Sequence, residues 1–143
     1  MGERPDEAGG AQPAADPRDD AAIAFAHRLL DLARTGDVAL LDYVDRGVPA
    51  DLTGPDGDTL LMLAAYHGHA TLVAGLLERG ADPDRPNDRG QSPVAGAVFK
   101  GEVDVIEVLV AGGADVEAGE PSAVATARFF ERPDLTALLH PGR

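Results

Sequence analysis

Apolar residues recur in the middle of the chain with the spacing of helices buried on one side. Two segments carry apolar pairs three and four positions apart, namely Leu72-Val73 with Leu76-Leu77 and Val105-Ile106 with Leu109-Val110. Residues at these spacings lie on one face of an α-helix, whereas a strand would alternate at every second residue. Both apolar stripes stop at a glycine, Gly80 or Gly113. The pattern therefore predicts two short helices, each packed against something on one side only.

These two segments belong to copies of one unit that repeats after 33 residues. The identical pairs are Gly57/Gly90, Ala64/Ala97, Gly68/Gly101, Leu76/Leu109 and the Gly-Ala-Asp triplets that begin at Gly80 and Gly113. A fixed period of this size is typical of a solenoid, in which each unit buries its apolar face against its neighbours. Repetition therefore indicates the architecture more directly than any single motif does.

Each unit also contains signals for a first helix that precedes the apolar stripe. Thr59 and Ser92 are favourable N-cap residues, and Pro93 follows at the first helical position, where a missing N–H is harmless. The first helix is predicted to end at Gly68 or Gly101, because glycine readily adopts the left-handed conformation of a C-cap. Helices this short are not stable alone, so stacking of the units must stabilise them.

The repeated unit resembles the ankyrin repeat, whose 33 residues form a turn and two antiparallel helices. Its T-P-L-H motif appears as Thr59-Leu60-Leu61-Met62 and Ser92-Pro93-Val94-Ala95. The later motifs appear as Ala64-Ala65-Tyr66-His67-Gly68-His69 and as Leu-Leu-x-x-Gly-Ala-Asp at 76–82. The resemblance implies an all-α repeat solenoid of antiparallel helix pairs joined by β-turn fingers.

Two departures from the family pattern change what the resemblance implies. The histidine of T-P-L-H is absent from both copies, so the hydrogen bonds that it makes between repeats must be absent or replaced. Gly96 stands within a helix where the family prefers leucine. Glycine at such a position costs about 1 kcal/mol of helix stability relative to alanine.

The flanking segments predict how the repeats are bounded. Residues 1–19 are rich in Pro, Gly, Ala and acidic residues without periodic apolar positions, which predicts a disordered acidic tail. An ankyrin-repeat domain is predicted over residues 20–143, beginning with a long helix from Asp20. Terminal units are atypical because one face must meet water. Two complete repeats are therefore predicted between two capping repeats, with units at about 20–54, 55–87, 88–119 and 120–143.

The connectors and the last unit follow the same logic. Val48–Asp58 and Ala81–Gln91 have equal length and are rich in Pro, Gly, Asp and Asn, which predicts β-turn fingers along one edge of the stack. The last unit aligns when Ser122 is matched with Ser92, so it starts three residues early. Glu131 then stands where a glycine ends the first helix of the other units.

Composition narrows the classes of function. The formal net charge of −13 argues against binding nucleic acid or anionic membranes through phosphate groups. The absence of cysteine excludes disulfides, thiol catalysis and Cys-ligated zinc. No apolar run approaches 18 residues and no signal-peptide core is visible, so a cytoplasmic protein is expected. Arginine greatly outnumbers lysine and alanine is abundant, which suggests a GC-rich, bacterial genome.

No set of residues forms a catalytic constellation, so no enzyme activity and no cofactor are predicted. There is no phosphate-binding glycine loop, no paired histidine motif and no nucleophile elbow. His67 and His69 flank Gly68 and could suggest a metal site, but the repeat itself accounts for Gly-His at this junction. Asp56 and Asp58 could suggest an acid pair, but both are ordinary turn residues.

The candidate site follows from a ladder at the ends of the first helices. Equivalent positions hold Arg34, Tyr66, Phe99 and Phe129, and the next column holds Thr35, His67, Lys100 and Phe130. In the ankyrin family these columns and the fingers often line a concave surface that binds proteins. The resemblance therefore implies partner-binding residues at Arg34, Pro55, Asp56, Asp58, Tyr66, His67, Asp88, Arg89, Gln91, Phe99 and Lys100.

Aromatic residues on one face are typical interface anchors, but they can also pack between units. For Tyr66 and Phe99 both interpretations stay open, whereas Phe129 and Phe130 are expected to be buried, because a terminal unit must cover its core edge. The function implied by the family is a protein–protein interaction module, an adaptor or scaffold, and a monomer is expected. The alternatives are a homo-oligomer formed through the same face, a regulatory or stabilising subunit of one enzyme, and a metal- or small-molecule-binding protein using Tyr66, His67 and His69.

Overall fold

The computed structural model describes residues 16–141. Within this range the chain forms eight helices: α1 (Pro17–Thr35), α2 (Ala39–Asp45), α3 (Leu60–Tyr66), α4 (Ala70–Glu78), α5 (Pro93–Lys100), α6 (Val103–Ala111), α7 (Ala123–Phe129) and α8 (Pro133–Leu139). The first helices of the units, α1, α3, α5 and α7, contact one another in sequence, and the second helices, α2, α4, α6 and α8, form a parallel row. The predicted all-α repeat solenoid is confirmed. No helix of the described part is long and apolar enough to cross a bilayer.

The core runs continuously along the stack between the two rows of helices. Equivalent alanines of α3, α5 and α7 are fully buried, namely Ala64, Ala97 and Ala127, and in α1 the fully buried alanine is Ala33, one position further along the repeat. The second helices bury branched side chains, among them Leu40, Leu72, Leu76, Ile106, Leu109 and Leu135. The buried alanines of the first helices let neighbouring helices approach each other closely.

Hydroxyl N-caps begin three of the four first helices, as the sequence predicts. The side-chain oxygen of Thr59 accepts a hydrogen bond from the Met62 amide at 3.0 Å. Ser92 and Ser122 accept equivalent bonds from amides three residues further on, at 3.2 Å and 3.0 Å. Ser122 therefore begins α7 in the register expected for a shortened last unit.

The start of α1 differs from the predicted one. The helix begins at Pro17 rather than at Asp20, because Asp16 caps it by accepting a 2.9 Å hydrogen bond from the Arg18 amide. Proline at the first helical position lacks an N–H that would otherwise need a partner. The apolar stripe from which the start of α1 was predicted begins several residues after the capping residues Asp16 and Pro17. Residues 1–15 of the predicted disordered tail lie outside the described residues.

The connectors form fingers that are bonded to one another. In each finger an amide reaches the carbonyl four residues on, from Gly54 to Asp58 and from Asn87 to Gln91, both at 3.0 Å. The Asp88 amide donates to the Asp56 carbonyl at 3.1 Å. The Glu120 amide in turn donates to the Gly90 carbonyl at 3.0 Å. The predicted β-turn fingers are therefore confirmed, and their tips are joined edge to edge.

Hydrogen bonds at other positions join neighbouring units, although the T-P-L-H histidine is missing. The Asp82 amide donates to Asp51 Oδ1 at 2.9 Å, and the equivalent Asp115 amide donates to Asp84 Oδ1 at 2.7 Å. The His69 ring nitrogen Nε2 lies 2.7 Å from the Arg34 carbonyl oxygen, across the boundary between the first two units. Neighbouring units are thus tied by polar contacts on the finger side as well as by their cores.

A paired ion contact joins the first two units on the side of the second helices. The Arg79 guanidinium donates from Nε and Nη2 to the two oxygens of Asp45, at 2.8 Å and 3.2 Å. This pairing holds the pKa of the Asp45 carboxyl below its usual value. Such two-pronged geometry matches the planar shape of both groups.

Replacing Glu131 with glycine is expected to stabilise the protein. It ends α7 with a φ of 54°, where the other units have glycine. A left-handed conformation costs a residue with a Cβ roughly 1–2 kcal/mol, partly offset because glycine loses more backbone entropy on folding. Glu131→Gly should therefore raise the free energy of unfolding by about 0.5–1 kcal/mol in urea denaturation.

The matched control for that substitution is Gly101→Ala. Gly101 ends α5 with a φ of 72°, and an added Cβ would meet only the end of the Arg132 side chain, at 3.8 Å. The alanine should therefore lose stability for conformational reasons alone. Unchanged or lower stability of Glu131→Gly would show that the Glu131 backbone is not strained.

Candidate functional site

The ends of the first helices bring three phenylalanines together. The Phe99 and Phe130 ring centroids are 5.7 Å apart with the planes at 65°. The Phe129 and Phe130 centroids are 5.0 Å apart with the planes at 86°. Both are edge-to-face arrangements, in which the positive edge of one ring meets the negative face of the other. Phe99, Phe129 and Phe130 are called the aromatic cluster below.

The aromatic cluster is exposed, which corrects the prediction for its last two members. Phe129 and Phe130 were expected to be buried, but they are 78% and 46% exposed, and Phe99 is 55% exposed. The terminal unit buries Ala123, Val124 and Ala127 instead, so smaller residues already cover its core edge. Exposed aromatic side chains grouped at one place are typical of binding surfaces.

The aromatic cluster forms one wall of a groove of about 480 Å³ between α5 and α7. The groove, called the aromatic groove below, is lined by Gln91, Ala95, Phe99, Pro121, Ala125, Thr126, Phe129 and Phe130. Its predominantly apolar lining with a few polar groups is typical of sites that accept an apolar group.

Sequence reasoning missed most of the lining of this groove, although one signal was available. Ala95 occupies the position of the T-P-L-H histidine in its unit, and Ala125 occupies it in the last unit, three residues after the N-cap. A histidine at either position would fill part of the groove. The departure from the family motif therefore creates space as well as removing a hydrogen bond.

A second cavity, of about 180 Å³, lies beside α3 and brings five of the predicted site residues together. Its lining consists of Asp58, Met62, Leu63, Tyr66, His67, Arg89 and Gln91. The half-buried Tyr66 ring is covered by the Lys100 ammonium group, which lies 4.7 Å from the ring centroid. This is the geometry of a cation–π contact, and it fixes both side chains at the rim of the cavity.

The middle finger is held in one conformation by Asn87, which sequence reasoning missed. The buried Asn87 side chain donates to Asp58 Oδ1 and Gln91 Oε1, both at 2.9 Å. Its oxygen accepts from the amides of Arg89 and Gln91, both at 3.0 Å. Arg89 Nη2 also donates to Gln91 Oε1 at 3.1 Å. These bonds order three predicted site residues before any partner binds.

The remaining predicted site residues lie further from the two cavities. Pro55, Asp56 and Asp88 are exposed near the tips of the fingers. Arg34 is exposed at the end of α1, where its guanidinium contacts Asp31, and it lines neither cavity. Lys100 lines neither cavity, and its ammonium group joins the site through the contact with the Tyr66 ring. The predicted site is thus divided between the fingers, the two cavities and the start of the stack.

His67 and His69, which flank Gly68 between α3 and α4, lie in surroundings that suit a structural role. The His69 ring packs over Gly36, so closely that any larger residue at Gly36 would collide with it. The pKa of His67 is lowered by partial burial and then by the nearby positive charges of Lys100 and His69. Among residues 16–141, no group of three His, Cys, Asp or Glu side chains is placed to hold a metal ion.

Comparison with known proteins identifies the class. The family described as ankyrin repeats (3 copies) matches residues 29–119. This chain therefore belongs to the ankyrin repeat family. Ankyrin repeats are generally protein–protein interaction modules, and the stacked units provide an extended binding surface.

Individual relatives are similar over parts of their length. The chain is 39% identical over 103 residues to serine/threonine-protein kinase 12 of Arabidopsis thaliana, covering 71% of this chain and 22% of the kinase. It is 50% identical over 50 residues to an ankyrin repeat protein of Pseudomonas aeruginosa, covering 34% and 29%. It is 37% identical over 73 residues to cyclin-dependent kinase 4 inhibitor B of Bos taurus, covering 51% and 55%. The similarity thus spans about half of the bovine inhibitor and less than a third of each of the other two relatives.

Proposed function

We propose that this protein is a non-catalytic adaptor or scaffold that binds a partner protein through the face formed by its first helices and fingers. This face is called the concave face below. The observation that carries the proposal is the aromatic cluster, which is exposed beside two cavities on this face. Buried aromatic anchors supply most of the binding energy in many interfaces. Such a role requires neither a cofactor nor a catalytic group.

Preorganisation of this face supports the same proposal. The fingers are tied to each other through backbone bonds, and Asn87 orders the side chains around Gln91. Lys100 and Tyr66 hold each other through their cation–π contact. A surface that is ordered before association loses less conformational entropy on binding. The partner can therefore be held with little rearrangement of the repeats.

A second candidate function is inhibition or stabilisation of one specific enzyme. It is supported by the similarity to the bovine protein named as an inhibitor of cyclin-dependent kinase 4. The two candidates use the same face and differ in what the captured partner does. If the partner is an enzyme, its activity should change when the wild-type protein is added and stay unchanged with a variant that cannot bind.

The test is a pull-down with a variant of the concave face. Tyr66→Ala/His67→Ala/Phe99→Ala/Lys100→Ala should lose the specific partner that wild type captures, because it removes anchor side chains beside each of the two cavities. The matched control replaces four exposed residues of the second helices, Thr71→Ala/Val103→Ala/Asp104→Ala/Glu107→Ala. This control should capture the partner as wild type does.

Folding of the variants must be checked, because Tyr66 is half-buried. Circular dichroism and a melting curve serve this purpose. The double variant Phe99→Ala/Lys100→Ala changes only exposed side chains and should also reduce capture. A partner that binds both concave-face variants as it binds wild type would overturn the proposal and direct attention to the second helices.

A further inference from the structure

The finger tips present a row of carboxylates. Asp56, Asp88 and Glu120 are exposed and lie on successive connectors. Their backbones are joined, because the Asp88 amide bonds the Asp56 carbonyl and the Glu120 amide bonds the Gly90 carbonyl. These three residues are called the fingertip row below. Its side chains therefore stand along one continuous edge rather than on independent loops.

One end of the fingertip row, at Glu120, adjoins the aromatic groove. Glu120 directly precedes Pro121, and Asp88 lies three residues before Gln91, and both Pro121 and Gln91 line the groove. Glu120 therefore lies at the border of the apolar groove, and Asp88 and Asp56 continue the acidic row from there along the joined fingers.

The charge on this edge is not neutralised within the finger segments that the structure describes. Residues 54–58, 87–91 and 119–121 contain four carboxylates and a single cation, Arg89. The Arg89 guanidinium is bonded to the amide oxygen of Gln91. Asp58 is the only one of the four carboxylates bonded to Asn87. The formal charge of these segments is thus −3, in a chain of net charge −13.

We propose, building on the partner-binding function above, that the aromatic groove binds a segment of a partner protein carrying an aromatic or branched aliphatic side chain next to lysine or arginine. The apolar side chain gains by leaving water against Phe99, Phe129 and Phe130. The adjacent cation is attracted by the fingertip row, which steers the encounter and sets the orientation. An acidic segment would be repelled by the same carboxylates. Charge and shape therefore both determine which partner segments bind.

The experiment uses the full chain and a display library of short random peptides. The strongest selected peptides are synthesised with a fluorescent label, and their Kd values are measured by fluorescence polarisation. We expect enrichment of aromatic or aliphatic residues beside Lys or Arg. Raising the ionic strength from about 0.05 M to about 0.3 M should weaken binding several-fold, because salt screens exposed charges.

Two variants separate the apolar and charged contributions. Phe99→Ala/Phe130→Ala should weaken binding about 10-fold or more, as loss of interface anchors does. Asp56→Asn/Asp88→Asn/Glu120→Gln should weaken it roughly 3- to 10-fold and remove most of the salt dependence. The charge-matched control on the second helices, Asp42→Asn/Asp104→Asn/Glu107→Gln, should change Kd less than about 2-fold. Phe129→Ala, at a side chain 78% exposed, provides a groove variant with little risk to folding.

The outcomes distinguish this inference from the proposed function. Selected peptides that need the groove phenylalanines but carry no excess of Lys or Arg would overturn the inference and leave the partner-binding function standing. Peptides that bind every concave-face variant as they bind wild type would overturn both. A library that yields no binder would also count against both.

Discussion

Leu76→Ala is expected to lower the free energy of unfolding by about 3 kcal/mol, within the range of about 2–5 kcal/mol for a leucine removed from a core. Leu76 has no exposed surface and lies on α4, which packs against α2, α3 and α6. The cavity cannot be filled by solvent or by one mobile neighbour, because three helices fix its walls. Urea denaturation followed by circular dichroism measures the change.

A comparison with the end of the stack makes this prediction specific to a repeat architecture. Leu135 is 1% exposed on α8, in the last unit. Each unit of a solenoid contacts only its neighbours. A cavity in the last unit therefore weakens one interface between units rather than two. Leu135→Ala should therefore increase hydrogen exchange in α7 and α8 first, with a smaller effect on α3 and α4.

The control for both core substitutions is Val103→Ala, at a side chain 40% exposed on α6. It should cost less than about 1 kcal/mol, since much of the side chain already contacts water. A Leu76→Ala protein that loses no more stability than this control would contradict the assignment of Leu76 to the centre of the core.

Gly57→Ala should cost about 2 kcal/mol and separate two finger tips. Gly57 has a φ of +77°, which alone costs alanine roughly 1–2 kcal/mol. An added Cβ would also lie 2.9 Å from the backbone nitrogen of Asp88, in the neighbouring finger. That nitrogen cannot move without weakening its bond to the Asp56 carbonyl. Faster hydrogen exchange of the Asp88 amide, together with the loss in urea denaturation, is the expected signature.

Gly90→Ala is the matched control, because Gly90 has a φ of +81° and open space around an added Cβ. Gly90→Ala has the cost of a positive φ but no collision between its Cβ and a neighbouring finger. It should therefore destabilise the protein less than Gly57→Ala does. The difference between the two measures the contact between fingers. Equal effects of the two alanines would show that the finger tips do not depend on each other.

Much of the fold was predictable because its signals are local. A hydroxyl residue at Thr59, Ser92 or Ser122 accepts a bond from an amide three residues away, so a few adjacent residues determine where α3, α5 and α7 begin. At α1 the apolar stripe indicates too late a start. Asp16 and Pro17 begin this helix without any buried residue in its first two turns.

The candidate site was predictable only in part, because its members come from different units. The ladder placed Tyr66, Phe99 and Lys100 on one surface, and the structure brings Tyr66 and Lys100 into contact. The prediction that Phe129 and Phe130 are buried was wrong, because smaller residues of the last unit already cover its core edge. Asn87 resembled any other turn residue in the sequence, although its bonds organise the finger.

The sequence by itself determined the repeat, its period, the hydroxyl caps of α3, α5 and α7 and the order of the units, since each depends on residues near one another in the chain or on the 33-residue repetition. Only the tertiary structure decided that the aromatic cluster is exposed, that Ala95 and Ala125 leave a groove, and that the carboxylates of three connectors form one edge. Each of these depends on distances between side chains of different units. Such distances arise from how the units stack, which no single unit encodes.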